Sequence, residues 1–306
     1  MTLRAARSVL AVPASNQRMI EKGLASEADM VFLDLEDSVA PGEKAAARSQ
    51  AIVAVRDSDW QGKPRAVRIN AVDTPWFARD VVDLLEQAGE RLDLIVLPKC
   101  EGTGDLIALD RLLASLERGL RRSAPVGVDA QIESARGVVG CEAIAVAAGR
   151  LEALVFGPGD FAATMRMPAR AIGMTDAWDA AYGGDRYHYA QARMVTAARA
   201  AGVRAIDGPY ADYRDEAGLR AAARRARALG HDGKWCIHPG QIAAVNEVFT
   251  PDALEVAEAR ALVAAYDAAV ESGAGAVTHD GVMIDLASLR MAQSLLAVAE
   301  EGHSGA

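Results

Sequence analysis

The chain has 306 residues, 51% of them hydrophobic, 25% charged and only 5% aromatic, which is ample material for a large core. A net charge of −9 argues against a general nucleic-acid binder, which needs a basic face, and leaves room for a small anion held by a few placed arginines. The three cysteines are odd in number and far apart, with no CxxC pair, so neither a disulfide framework nor a cysteine zinc site is expected and a reducing compartment is the default.

No apolar run approaches the roughly 18 residues of a membrane span. The opening MTLRAARSVLAVPAS has too short an apolar core for a signal peptide. A cytoplasmic protein without a membrane partner is therefore expected. Along the chain, short Val/Ile/Leu-rich runs predict strands at 8–12, 30–35, 66–69, 94–97, 126–132, 154–156, 203–206 and 234–237. Between them, Ala/Leu/Arg-rich stretches predict helices at 16–25, 75–87, 103–121, 137–148, 187–201 and 215–229. Continuous rather than alternating apolar strands indicate a parallel sheet covered on both faces. Eight such strands interleaved with helices count to an α/β fold, a (β/α)8 TIM barrel over residues 1–245. The alternative, a doubly wound open sheet, lacks its GxGxxG signature.

Gly202 and Gly230 stand where C-terminal glycines of helices belong. Thr250-Pro251-Asp252 reads as N-cap, first-turn proline and early acid of a long helix reaching to about 271. Beyond the eighth strand lies a C-terminal helical extension over 246–306: that helix, a Gly-rich stretch at 272–276, residues 279–285, and a final amphipathic helix to 299.

In a barrel the site lies at the C-terminal strand ends. Those ends carry Asp34, Glu36 and Asp37, then Arg68 and Asn70, Lys99, Glu133, Asp160, Asp207 and His238. Charges directly after buried strands need a partner or a ligand. Taken singly, Glu133 and Asp160 read as salt-bridge partners in the barrel mouth. Taken together, on successive strands with Gly157-Pro158-Gly159 before Asp160, they read as a cup for Mg2+ or Mn2+, because two carboxylates without a neighbouring histidine suit an octahedral oxygen site. The Gly157-Pro158-Gly159 turn brings backbone close to a ligand. Glu36 and Asp37 read either as a solvated strand end or as holders of metal-bound water. Arg68 and Arg7 read as an anion clamp, and Lys99 as a partner for Glu36, Asp37 or Glu101. No Walker A, HExxH or GxSxG motif is present.

The chain resembles the citrate lyase β-subunit/malyl-CoA lyase branch of the HpcH/HpaI aldolase family. The matching pieces, in order, are RSVLAVPAS (7–15), FLDLEDSV (32–39), RINAVDTPW (68–76), LPK (97–99), QIES (131–134), FGPGDFA (156–162), GKWCIHPGQI (233–242) and DGVMID (280–285). The resemblance implies Glu133 and Asp160 as Mg2+ ligands, Glu36 and Asp37 as supports for metal-bound water, and Arg68 and Arg7 as substrate-site arginines. It implies a homo-oligomer, a trimer or hexamer, whose extension crosses onto a neighbouring subunit and delivers Asp285 as acid/base. From the residues alone, Asp285 reads as the N-cap of the last helix. One departure is the Leu286-Ala287-Ser288 after Met-Ile-Asp, where many relatives carry a Pro-His pair.

The implied chemistry is a reversible Claisen-type cleavage of a 3-hydroxyacyl-CoA, such as malyl-CoA or β-methylmalyl-CoA, into an acyl-CoA and a 2-oxo acid such as glyoxylate. A citryl-CoA or citramalyl-CoA lyase, a malyl-CoA thioesterase and an inert barrel subunit are the competing expectations.

Overall fold

Eight short parallel strands close on themselves in sequence order. The computed structural model describes residues 4–303. The strands are β1 (Ser8–Pro13), β2 (Met30–Asp34), β3 (Arg65–Arg68), β4 (Leu94–Leu97), β5 (Gly127–Ile132), β6 (Leu151–Phe156), β7 (Arg204–Asp207) and β8 (Gly233–Cys236). Between and after them lie α1 (Gln17–Leu24), α2 (Lys44–Asp57), α3 (Phe77–Ala88), α4 (Thr103–Leu120), α5 (Ala135–Ala145), α6 (Pro158–Thr164), α7 (Ala177–Tyr182), α8 (His188–Ala201), α9 (Glu216–Leu229) and α10 (Ile242–Phe249). Closure of β8 onto β1 rules out the open doubly wound sheet.

The apolar runs are unbroken because both strand faces are covered: every residue of β2, β4, β5 and β6 is buried. The inward set fills the barrel with Met30, Phe32, Val96, Val155, Ile206 and Trp235, among others. Phe32 and Trp235 meet at a ring-centroid distance of 4.6 Å.

The floor is polar. Arg204 reaches Asp129 at 3.2 Å and Glu152 at 3.4 Å, and Arg4 pairs with Glu152 at 2.9 Å. Burial pushes Asp129 up to about 6, against the pull of Arg204. Glu152 enters this cluster through a bulge. Val128 pairs with Leu151 and Asp129 with Ala153, so Glu152 is the extra residue. Above the bulge the ladder is regular, ending at Ile132 opposite Phe156.

Helix ends follow local chemistry. Asn16, Ser134 and Asp215 each accept a backbone N–H of the first turn. Gly202 and Gly230 close α8 and α9 at φ 70° and 102°. Helix α2 has no counterpart among the helices expected from the sequence, and the reason lies on its buried side. That side includes Lys44 and Arg48, which bond the carbonyls of Leu35 and Glu36 and the Asp80 carboxylate, so no apolar stripe marks it.

The chain divides into two compact units at Asn246/Glu247. In the second, α11 (Ala253–Glu271) and α12 (Leu286–His303) pack together beside the hairpin of β9 (Val277–His279) and β10 (Val282–Ile284). The cap of α11 is Asp252, two residues beyond the expected Thr250. Asp252 accepts from Glu255 N–H at 2.8 Å while Glu255 accepts from Asp252 N–H at 2.8 Å, a reciprocal pairing that a threonine at 250 cannot make. Among the described residues, no helix is long and apolar enough to cross a membrane.

Candidate active site

The C-terminal strand ends open into a cavity of about 630 Å³. Its polar lining includes Asp34, Asp37, Arg68, Gln131, Glu133 and Asp160, and its apolar wall includes Val12, Met19, Ile172, Trp235 and Ile237. Each polar group arrives at a strand end: Asp34 closes β2, Arg68 closes β3, Glu133 comes directly after β5, and Asp160 stands in the first turn of α6 after the Gly157-Pro158 turn.

Glu133 is only 2% exposed, and both of its oxygens are held. Oε1 accepts the Lys99 backbone N–H at 2.7 Å, and Oε2 accepts from the Gln131 amide. Lys99 makes its contact from a left-handed backbone at φ 49°. Gly157 lies against the other side, where any side chain would run into Glu133 and Gln131, so the QIES and FGPGD segments require each other. Burial pushes the Glu133 carboxyl up to about 8, with Arg68 acting against that rise. A buried carboxyl with a raised pKa is one that a cation would ionise. Asp160, half-buried, faces the same cavity. Among the described residues no group of three or more His, Cys, Asp or Glu is arranged to hold a metal. The protein thus offers two carboxylates and leaves other positions to water and substrate, which fits Mg2+ and not a structural zinc.

Beside this cup, Arg68 gives Nε and Nη2 to the two oxygens of Asp34, each at 2.7 Å. Its Nη1 lies 3.2 Å from Glu36 and 3.3 Å from Gln131 Oε1. The guanidinium lies over Phe32 and Trp235, 5.8 Å and 5.5 Å from their centroids. Burial works to raise Asp34, but Arg68 outweighs it and holds the carboxyl below its usual range. Glu36 goes the other way: burial lifts it to about 7 despite Arg68. The Lys99 ammonium pairs with Glu36 and, at 3.2 Å, with Asp37. Burial opposes its charge, yet these two carboxylates hold it protonated.

The structure thus brings Arg68, Glu36, Asp37, Lys99, Glu133, Gly157, Pro158 and Asp160 to one mouth. It does not bring Arg7 there. Arg7 precedes β1, at the opposite end of the strand, where its Nε and Nη2 grip Asp29 at 2.8 Å each and its backbone N–H adds a third bond at 2.9 Å. The expected substrate-site role of Arg7 is corrected on that ground: its fork ties the N-terminal ends of β1 and β2 together. Arg68 does line the mouth, with Asp34 filling its two-pronged face. Asn70, Asp207 and His238 have partners outside this set: Asn70 bonds Asp80 at 2.6 Å, Asp207 pairs with Lys234 at 2.6 Å, and His238 stacks on Tyr213.

Asp285 belongs to the second unit and caps α12, accepting from Ala287 N–H at 2.9 Å and Ser288 N–H at 3.1 Å. The Ser288 and Ala287 backbone bonds hold its carboxyl below the usual range, so it stays ionised as the cap of that helix. Gln131 lines the cavity and carries no charge to mark it in the sequence. It opens the QIES segment, and it alternates with Asp129 and Glu133 in an otherwise apolar strand, the period of residues that share one strand face.

A family model described as HpcH/HpaI aldolase/citrate lyase matches residues 7–239. An L-malyl-CoA/beta-methylmalyl-CoA lyase of Cereibacter sphaeroides is 47% identical over 294 residues, covering 94% of this chain and 92% of that protein. A (3S)-malyl-CoA thioesterase of the same species is 34% identical, covering 96% and 94%. Among solved structures, CitE from Mycobacterium tuberculosis in complex with magnesium, acetoacetate and coenzyme A has a TM-score of 0.77 at 32% identity, covering 97% of this chain and 98% of that one.

Proposed function

The chain belongs to the HpcH/HpaI aldolase/citrate lyase family, and on that premise we propose that it is a Mg2+-dependent carbon–carbon lyase. It cleaves a 3-hydroxyacyl-CoA such as malyl-CoA or β-methylmalyl-CoA to acetyl-CoA or propionyl-CoA plus glyoxylate, and runs the condensation in reverse. The observation that carries this reading is one cavity lined by buried Glu133, half-buried Asp160 and buried Arg68, in a chain 47% identical to a malyl-CoA/beta-methylmalyl-CoA lyase.

Glu133 and Asp160 hold the cation through one carboxylate each. When bound, Mg2+ supplies a Lewis acid for the substrate's hydroxyl and carboxylate oxygens. Arg68, with Nε and Nη2 on Asp34 and Nη1 shared between Glu36 and Gln131, turns its second Nη2–H to the negative oxygen that develops as the carbon–carbon bond breaks. Glu36 and Asp37, held by Lys99, order water at the rim. In the condensing direction Asp285 removes a proton from the methyl or methylene carbon next to the thioester while the new alkoxide takes one from solvent, and in cleavage the hydroxyl proton leaves to solvent as Asp285 returns its proton to that carbon.

The extension over 246–306 packs on a neighbouring subunit and supplies Asp285 in trans, in a trimer or hexamer. Exposed apolar side chains flanking Asp285, at Val282, Met283, Leu286 and Met291, support an interface there. The cytoplasm is the expected compartment.

The test is incubation of the full chain with acetyl-CoA, glyoxylate and Mg2+, with mass spectrometry for malyl-CoA and a parallel thiol assay. Malyl-CoA formation supports the lyase. Thiol release from malyl-CoA without acetyl-CoA would support the second reading, a thioesterase, which the 34% identical thioesterase favours. No turnover and no Mg2+ binding would sink both.

A further inference from the structure

Two opposite charges share the mouth, and in a low-dielectric site they ought to collapse onto each other. Arg68 pairs with Asp34, Glu36 and Asp37, yet among the described residues it forms no ion pair with Glu133. Between the two stands Gln131, 3% exposed on the inward face of β5. Its Oε1 accepts from Arg68 Nη1 at 3.3 Å, and its Nε2 donates to Glu133 Oε2. The amide orientation is fixed by Arg68, because a guanidinium only donates, which assigns Oε1 to Arg68 and turns Nε2 to Glu133. The position tolerates little else. Leucine or methionine would leave a buried donor and a buried acceptor unmatched, asparagine is one methylene short, and glutamate would add a negative charge to the cup.

We propose that Gln131 is a positioning residue, an uncharged spacer that bridges Arg68 and Glu133 so that neither neutralises the other. It spares the second Nη2–H of Arg68 for the substrate oxygen and an outward lone pair of Glu133 for the cation, and it sets the distance between guanidinium and carboxylate. The role rests on the proposed lyase reading, in which one substrate touches both. Its physical precedent is general: groups that orient a metal ligand from behind typically change metal affinity 10–100-fold when removed.

The test compares the full-length parent with Gln131→Met, which keeps the shape and loses both hydrogen bonds. Mg2+ affinity is measured by titration calorimetry without substrate, and melting temperature without metal. KM for glyoxylate and kcat are measured at saturating Mg2+. The expected result is a Mg2+ Kd weakened about 10-fold or more and a raised KM for glyoxylate, with a smaller change in kcat and a metal-free fold that still melts cooperatively. A Gln131→Met chain with the parent's Mg2+ Kd and KM overturns the spacer role alone. Should Gln131→Met not fold, Gln131→Asn replaces it, and parent-like Mg2+ affinity there likewise overturns the role. A parent that binds no Mg2+ overturns the proposed function, and the spacer role with it.

Discussion

Asp34 and Arg68 stand directly opposite one another as paired residues of β2 and β3, and the carboxylate takes two guanidinium donors at 2.7 Å each. The pair is buried, so the two partners are not equally expendable. Asp34→Ala leaves Arg68 charged without its main counter-ion and is expected to lower stability by about 3–5 kcal/mol, read by denaturant titration. Asp34→Asn keeps the shape and one acceptor, should fold better, and should lower kcat/KM because Arg68 turns toward Glu36. Wild-type activity in Asp34→Asn would show that Arg68 needs no anchoring.

The acid cup predicts loss of metal from either side. Glu133→Gln and Asp160→Asn are each expected to abolish the thermal stabilisation that Mg2+ gives the parent, which at 100 times Kd amounts to about 2.7 kcal/mol. Chelation should silence the parent, and Mg2+ or Mn2+ should restore it. Calorimetry showing parent-like Mg2+ binding in both variants would remove these two residues as ligands.

Glu133 also sets a pH dependence. Its metal-free carboxyl sits near 8, and only the ionised form coordinates. Mg2+ affinity should therefore fall as pH drops through about 8, with proton release on binding below it. The same group makes the metal-free fold less stable as pH rises from 4.5 to about 8, because the native state still binds a proton that the unfolded chain has released. Mg2+ Kd values measured from pH 6 to 9 check the sign; a flat profile contradicts it.

Asp285→Asn separates chemistry from capping, since asparagine caps a helix as well as aspartate. Turnover should fall roughly 10²–10⁴-fold, the usual scale for a general base, with Mg2+ binding and melting temperature kept. Mixing Asp285→Asn with Glu133→Gln before refolding should recover activity if the acid is supplied in trans. Failure of that mixture, with hetero-oligomers verified by mass spectrometry, would place Asp285 in its own subunit's site.

For Arg7 the expectation is opposite. With its fork spent on Asp29 away from the mouth, Arg7→Met should reduce stability by about 1 kcal/mol while KM and kcat stay within about twofold. A large rise in KM for the 2-oxo acid would return Arg7 to the substrate.

The barrel was legible in the sequence because buried parallel strands are continuous apolar runs, and because Gly202 and Gly230 mark the ends of α8 and α9. The acids of the mouth were legible too, as charges standing just past such runs. The position of Arg7 was legible as well, since the strand expected at 8–12 puts it on the floor side, and only the resemblance pointed it to the substrate. Gln131 stands in the QIES segment, but an amide inside a strand raises no charge signal, so the segment and the period-two spacing with Asp129 and Glu133 do not reveal what it bonds. The Asp34 grip on Arg68 depends on strand register, which no local pattern specifies.

The extra residue at Glu152 gives the barrel a modular character. By absorbing one residue low in β6, the bulge flips the strand's parity once and lets the upper ladder run on regularly to Ile132 and Phe156, with Gly157 level with Glu133. A shortened β6 lacking Glu152 would pair Val128 with Leu151 and Asp129 with Ala153 without a break, leaving Arg204 with Asp129 alone and the upper alignment as it stands.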